Sequence, residues 1–492
     1  MITGLDWINP VLLREYQQFV RSRMFAWVGI LWLLAQLLIS LIFISLLEPT
    51  EAGLSLTGPG GQYFAWVIGG LTVVFLLVLP VSTFNRVVRD RKEATLELLT
   101  ISRVSSTQII FGFLLIAFAQ VALFVLISFP FVVFAYLFRG LELTTVLWSV
   151  YFLVLVALVA NSATLTIASF CRTPRVTAVI RVLFGAGTLF VALPMGWSIL
   201  VGLLFMRHAS GMGRAIGTIP AMPWLAVGLI TLGAVLLVGL CVVIARSNLL
   251  FEAANRTSLP RLTVTAIFLI IGGIVNGFAW IGPFRERELV NTFDVLSFIL
   301  LIIYSAWILG ESNQISPRMR EGFPKHPLVR WLSWPFLPGR GTAFLYLILN
   351  ALLLTGLAIT AYIGCKADLM DLDFIRASLL KPYLLFAMGC AILIHHLLQR
   401  TKFCRVYFIC WLVIILGILM WAPLLWGARP FASDGQFENF VLGSKDSNAT
   451  IFWRGFIAPL VGLLLAAPSV RENRRNLRHA PAPPTVPPLL KP

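Results

Sequence analysis

Five histidines, six cysteines and a thin scatter of carboxylates are what this 492-residue chain offers for metal or covalent chemistry. His395 and His396 are adjacent. On a helix, neighbouring side chains leave in different directions, so the two make a poor metal pair and read as interfacial. His208, His326 and His479 stand in polar segments without ligand spacing. Cys171, Cys241, Cys365, Cys390, Cys404 and Cys410 are scattered in or beside apolar runs and read as small hydrophobes. Three acids gather in "CKADLMDLDFIRASLLK", at Asp368, Asp371 and Asp373. A membrane-embedded transferase acting on a lipid-linked substrate would need a carboxylate or histidine at such a place, as base or metal ligand. Asp371 and Asp373, however, fall on different helical faces. With Leu369, Leu372 and Leu379 on its apolar side, the stretch reads as an interfacial helix whose acids face water. No catalytic residue, no metal site and no cofactor is expected on this chain. No G-x-x-x-x-G-K-[ST] occurs, so ATP cannot be held here by a P-loop.

The remaining acids of interest are Glu93 and Glu97, in "RDRKEATLELLTISRVSSTQIIFG" (89–112). This passage opens with five consecutive charged residues and lies between two long apolar runs. Asp90 followed three residues later by Glu93 resembles a helix start. A helix from about Arg91 to Leu99 is expected, with Leu96 and Leu99 on one face and Glu93 and Glu97 stacked at i and i+4. Ser105 with Gln108 offers a second capping box, opening the next apolar helix. A loop that only sets membrane orientation needs its arginines but no ordered helix and no aligned acid pair.

The elements around this segment must be membrane spans. The chain is 59% hydrophobic and 12% charged, with a mean hydropathy of +0.90; soluble domains carry about 25% charged residues. Apolar runs long enough to cross a bilayer fall near 24–47, 63–84, 108–138, 144–170, 178–206, 223–245, 262–282, 293–311, 342–364, 382–399, 406–426 and 452–469. The fifth could be a broken or re-entrant pair around Pro194. The fold class expected is all-α: a polytopic integral membrane protein of about twelve transmembrane helices in two six-helix halves. With both termini placed in the cytoplasm, the inner segments hold about 27 of the 38 Lys and Arg. Topology and anionic lipid therefore account for the net charge of +17, and no nucleic-acid partner is needed.

The domain reading follows. Residues 1–23 carry an interfacial amphipathic helix, with Leu12, Tyr16 and Phe19 on one face and Arg14 on another. Residues 24–245 form one six-span unit, 246–261 a cytoplasmic joint, and 262–469 a second six-span domain. That domain has a Pro-rich cytoplasmic loop at 312–341, and 470–492 is a basic, Pro-rich tail. Polar residues inside spans are mild, the Ser162, Thr166 and Ser169 face of span four among them, and read first as helix–helix adhesion. Charged residues are nearly absent from span centres, which weighs against the alternative of an ion-coupled twelve-span secondary transporter.

"RKEATLELLTISRVSSTQIIFG" resembles the signature of ABC-2 type transporter permeases, with Glu93, Thr95, Leu96, Glu97, Leu98, Leu99 and Gly112 at the motif positions. "NPVLLREYQQFVRSR" is similar to the interfacial helix such permeases carry before span one. The likeness covers about residues 9–245. It departs at Thr100-Ile101-Ser102, which lacks the usual Pro, and at Phe113, which stands for the usual Lys. The resemblance implies a permease subunit of an exporter in the bacterial inner membrane. Residues 90–99, from Arg91 to Leu99 above all, would be the coupling helix on which a separate ATPase subunit docks. It also implies a homodimer or a second permease subunit, since the second half has no matching segment. The weakly polar spans suit an amphiphilic or hydrophobic cargo.

Overall fold

The computed structural model of the chain describes residues 23–46, 60–92, 105–138, 143–171, 174–205, 222–250, 255–281 and 333–365, together with Gln17 and parts of 290–304, 326–329 and 461–471. Among these residues the regular structure is helical throughout, and seven helices are long and apolar enough to cross a membrane. The protein is a multi-pass helical membrane protein. The chain divides into two compact units, Met1–Leu250 and Phe251–Pro492.

In the first unit α1 spans Arg23–Leu46. A continuous rod then comprises α2 (Gly60–Val73), a π-helical stretch (Val74–Val78) and α3 (Leu79–Lys92). It is followed by α4 (Ser106–Leu137), α5 (Leu143–Ser169), α6 (Pro174–Phe205) and α7 (Met222–Leu249). The rod is the centre of the unit and packs against α1, α4, α5 and α6. Two sequence expectations change here. The helix of 174–205 runs through Pro194 without a break, because a membrane helix tolerates one missing N–H where neighbours re-satisfy the backbone. The second span, expected to end near residue 84, continues as helix to Lys92.

Lipid tails are as apolar as leucine, so burial alone does not assemble these helices; close packing and hydrogen bonds do. α1 shows this plainly. Its buried residues are Trp32, Gln36 and Ser40, one per turn on one face, while Trp27, Leu31, Leu34, Leu38 and Leu41 are exposed. Trp32 Nε1 donates to Ser128 Oγ at 3.0 Å, and the Ser40 and Tyr63 hydroxyls lie 2.6 Å apart. Trp32 lies over Gly70, where a Cβ would meet its ring at 3.0 Å. The Tyr63 ring packs among Phe43, Phe134 and Phe138 at centroid distances of 5.2 to 6.0 Å. This forms an apolar cluster towards the α1–α2 end. A second cluster, at the opposite end of the rod, joins Phe84, Val87 and Val88 to Ile109, Ile110, Phe113, Leu165 and Ala168.

In the second unit α8 (Ser258–Ile281) packs along α9 (Arg340–Gly364). Asn276 Nδ2 donates to Leu357 O at 3.0 Å, and Trp280 Nε1 to Thr360 O at 3.0 Å. Near the helix starts, Thr265 Oγ1 bonds Asn350 Oδ1 at 3.1 Å. Contacts that advance together along both helices make the pair parallel. The chain must therefore return between them, and the helical positions within 290–304 lie in that interval. Ahead of α9, a 3₁₀ turn at Trp334–Phe336 leads to Gly339, whose φ of 128° is a left-handed value suited to glycine. Arg261, fully buried, holds this turn. Its Nη1 donates to the carbonyls of Pro335 and Leu337, its Nη2 donates to Gly339 O at 3.2 Å, and its guanidinium lies 5.7 Å from the Tyr346 ring centre.

Candidate functional site: the basic end of the first unit

The end of α3 carries Arg86, Arg89, Asp90, Arg91 and Lys92. Helix persists through this charge because Phe84, Val87 and Val88 recur at i, i+3 and i+4 and pack into the second cluster, while Asn85 and Arg89 face outward. This corrects the reading of Asp90 as a helix start: it lies inside the helix and is 1% exposed. Tertiary packing on its apolar side outweighs the local capping pattern.

Arg91 reaches across to the end of α5. Its Nη1 donates to Ser169 O at 3.0 Å and to Cys171 O at 2.9 Å. The last carbonyls of a helix have no intrahelical donor and carry the negative end of the helix dipole, so a guanidinium suits them on both counts. The tie continues sideways. Asn248 Nδ2 of α7 donates to Ser169 Oγ at 2.8 Å, and Thr166 Oγ1 donates to Cys241 O of α7 at 2.9 Å. Deeper in, Thr83 Oγ1 of α3 donates to Asn161 Oδ1 of α5 at 3.0 Å. Ser162, Thr166 and Ser169 also donate to carbonyls within α5. These contacts fit the expectation that the polar face of α5 is adhesive.

On the other side of the segment, α4 begins with the capping box that the sequence suggested. Gln108 N donates to Ser105 Oγ at 3.2 Å, and Ser105 N to Gln108 Oε1 at 2.9 Å. Gly112 is buried in the second turn of α4, past the helix start itself. Two fixed ends therefore bracket residues 93–104: the Arg91 tie at Lys92 and the capped start at Ser105. Glu93, Thr95, Leu96, Glu97, Leu98 and Leu99 lie outside the described residues, as do Leu12, Arg14, Tyr16 and Phe19. Of the expected coupling helix 90–99, the described part, 90–92, is the end of α3.

The surroundings are basic. Arg89 and Arg181 are exposed, and Arg246 stands in the last turn of α7. Beside them the Cys171 thiol is 2% exposed. Burial pushes its pKa up, against a hydrogen bond with Thr177 and the charges of Arg91 and Arg181. Among the described residues no three His, Cys, Asp or Glu side chains come together as a metal site.

Two features escaped the sequence reading. One is the Arg261 clamp, signalled only by a lone arginine after Pro260 at the head of an apolar run. The other is the π-helical stretch, signalled by Pro80 inside an apolar helix. Compared with known proteins, the chain matches no family model, no curated protein and no solved structure.

Proposed function

We propose that this chain is the membrane-spanning permease subunit of an ATP-binding cassette exporter. In this reading it has twelve spans with both termini in the cytoplasm of a bacterial inner membrane. A separate ATPase subunit docks on 90–99 and supplies the work. A second copy of the chain, or a second permease subunit, completes the transporter, and the cargo is amphiphilic or hydrophobic. The observation that carries this reading is the mounting of residues 93–104. A topogenic loop can hang freely, whereas a segment that receives a push must be fixed to the spans it moves. Here the segment is preceded by a packed helix tied by Arg91 to α5 and followed by a double-bonded cap on α4. Glu93 and Glu97 are the acids that a basic cleft on the ATPase would meet.

The test is a detergent pull-down of tagged chain. The parent protein should bring an ATPase with it, and the Glu93→Lys/Glu97→Lys double variant should lose it while inserting and expressing normally. Unchanged co-purification refutes the docking reading. Transport that persists without ATP and collapses with the proton gradient would establish the secondary transporter instead. Turnover of a lipid-linked donor by the chain alone would establish an enzyme.

A further inference from the structure

Pro80 has no N–H, so the carbonyl four residues back, at Leu76, lacks its α-helical donor. The rod answers by widening: Leu79 N–H bonds Val74 O, five residues back, and Val74–Val78 is π-helical. Such stretches, like prolines, are where helices bend sharply. The same level of the bundle holds an oddity on α4. Gln120 is completely buried, yet neither its amide oxygen nor its amide nitrogen has a hydrogen-bond partner. Its place follows from the register of the clusters. On α4, Phe113 belongs to the cluster of Phe84, Val87 and Val88, and Phe124 to the cluster that holds Val74, Phe75 and Leu79. Phe113, Gln120 and Phe124 are all buried on α4. They lie at i, i+7 and i+11, on one face. α4 runs antiparallel to the rod, so Gln120 stands level with the end of the π stretch and Pro80.

We propose that the rod is a hinged lever with two states, and that the Gln120 amide latches the second. In the present arrangement the amide is buried and unbonded, which disfavours that arrangement. When α3 tilts about the π stretch, the Leu76 carbonyl turns toward α4 and accepts from Gln120 Nε2. The amide then gains a bond. α3 from the hinge to Arg89 is about 15 Å long, so a bend of 20–30° moves its tip by roughly 5–8 Å, and the end of α5, bonded to Arg91, moves with it. The hinge goes beyond the transporter reading. It depends only on this chain, and 93–104 would ride on its moving end.

Two measurements on the full chain in lipid nanodiscs test it, with the six native cysteines replaced by alanine. Spin labels at Arg89→Cys and at Leu126→Cys, the latter exposed on α4, should show two distances that differ by several ångströms. Pro80→Ala, which restores the donor, should leave one, and Gln120→Met should deplete the second. A single distance in the parent, unchanged by Pro80→Ala, overturns the hinge. Gln120→Met in the otherwise native chain should also raise the thermal unfolding midpoint, because it removes an unbonded amide from the resting state. An unchanged or lower midpoint overturns the latch. If Pro80→Ala does not fold, Gln120→Met carries both readouts.

Discussion

Replacing Arg91 by Met removes both donors that tie α3 to the end of α5 while keeping an apolar stem of similar reach. The bonds are 3.0 and 2.9 Å long, and Ser169 and Cys171, whose carbonyls accept them, are each 2% exposed. Hydrogen bonds from a charged donor contribute about 1.5–3 kcal/mol each. Arg91 itself is half-buried. Water can reach part of the site, so the loss for the pair lies nearer the value of a single bond, about 2 kcal/mol. For a cooperative unit of some 250 residues that corresponds to a drop of roughly 4–8 °C in unfolding midpoint. Arg91→Lys keeps the charge but loses the planar fork, and should recover about half of the drop. The assay is thermal unfolding of the detergent-solubilised chain followed by tryptophan fluorescence, run beside the ATPase pull-down. If the tie mounts 93–104, Arg91→Met should weaken ATPase retention even at temperatures where the chain remains folded. An unchanged midpoint in Arg91→Met would refute the reasoning, because two buried carbonyls cannot lose a cationic donor without cost.

Arg261→Met should be more damaging than Arg91→Met. It takes a donor from each of the carbonyls of Pro335, Leu337 and Gly339 in a fully buried site, and a buried carbonyl left without a donor costs about 1–3 kcal/mol. The check is a fall in folded yield by gel filtration, only partly restored by Arg261→Lys. Cys171 should resist alkylation by N-ethylmaleimide at neutral pH in the folded chain and react fully after denaturation, since it is buried and its thiol is raised. The folded state keeps that proton longer than the unfolded chain does. Its contribution to stability is therefore intact below the unfolded thiol pKa of about 8.5 and falls as pH climbs through the raised folded value. Cys171→Ala should flatten that part of the stability–pH curve.

Hydrophobic run length was enough to place the helices at 23–46, 106–137, 143–169, 222–249, 258–281 and 340–364 within a few residues, because the bilayer imposes a minimum apolar length that soluble folds do not. The Ser105–Gln108 cap was legible because its bonds are local, between residues three apart. What failed was local reasoning about residues whose partners are distant in sequence. Asp90 followed by Glu93 has the spacing of a helix start, but the apolar stripe at Phe84, Val87 and Val88 packs onto α4 and α5 and carries the helix through it. Pro80 was invisible within an apolar run, since the consequence of its missing N–H is expressed in backbone register rather than in composition. Arg261 had the same difficulty. Nothing in "SLPRLT" states that carbonyls some 75 residues later will close around the guanidinium.

Arg91 and Arg261 solve one problem in the same way. A helix end or turn packed inside a bundle leaves carbonyls without intrahelical donors, and the neighbours that bury them keep most water away. Lysine offers a compact, strongly hydrated charge that favours water; serine offers one donor. Arginine offers five donors in a flat fork on a long stem, weakly hydrated, and so can bond several carbonyls at once. Arg91 does this at the end of α5, and Arg261 at the turn before α9. Each arginine sits at the end of a spanning element, the place where a membrane helix must be stiff if force applied outside the bilayer is to reach its interior. In the first unit the stiff end lies next to residues 93–104, and the only interruption of the rod's regular α-helical hydrogen bonding lies further in, at Val74–Val78. A rod clamped near its tip and softened at its middle turns a push at the tip into a bend at the softened point. The Arg91 tie and the Pro80 hinge therefore predict opposite outcomes for two mutants: loosening the tip with Arg91→Met should leave the two hinge distances in place while ATPase retention falls, and stiffening the hinge with Pro80→Ala should do the reverse.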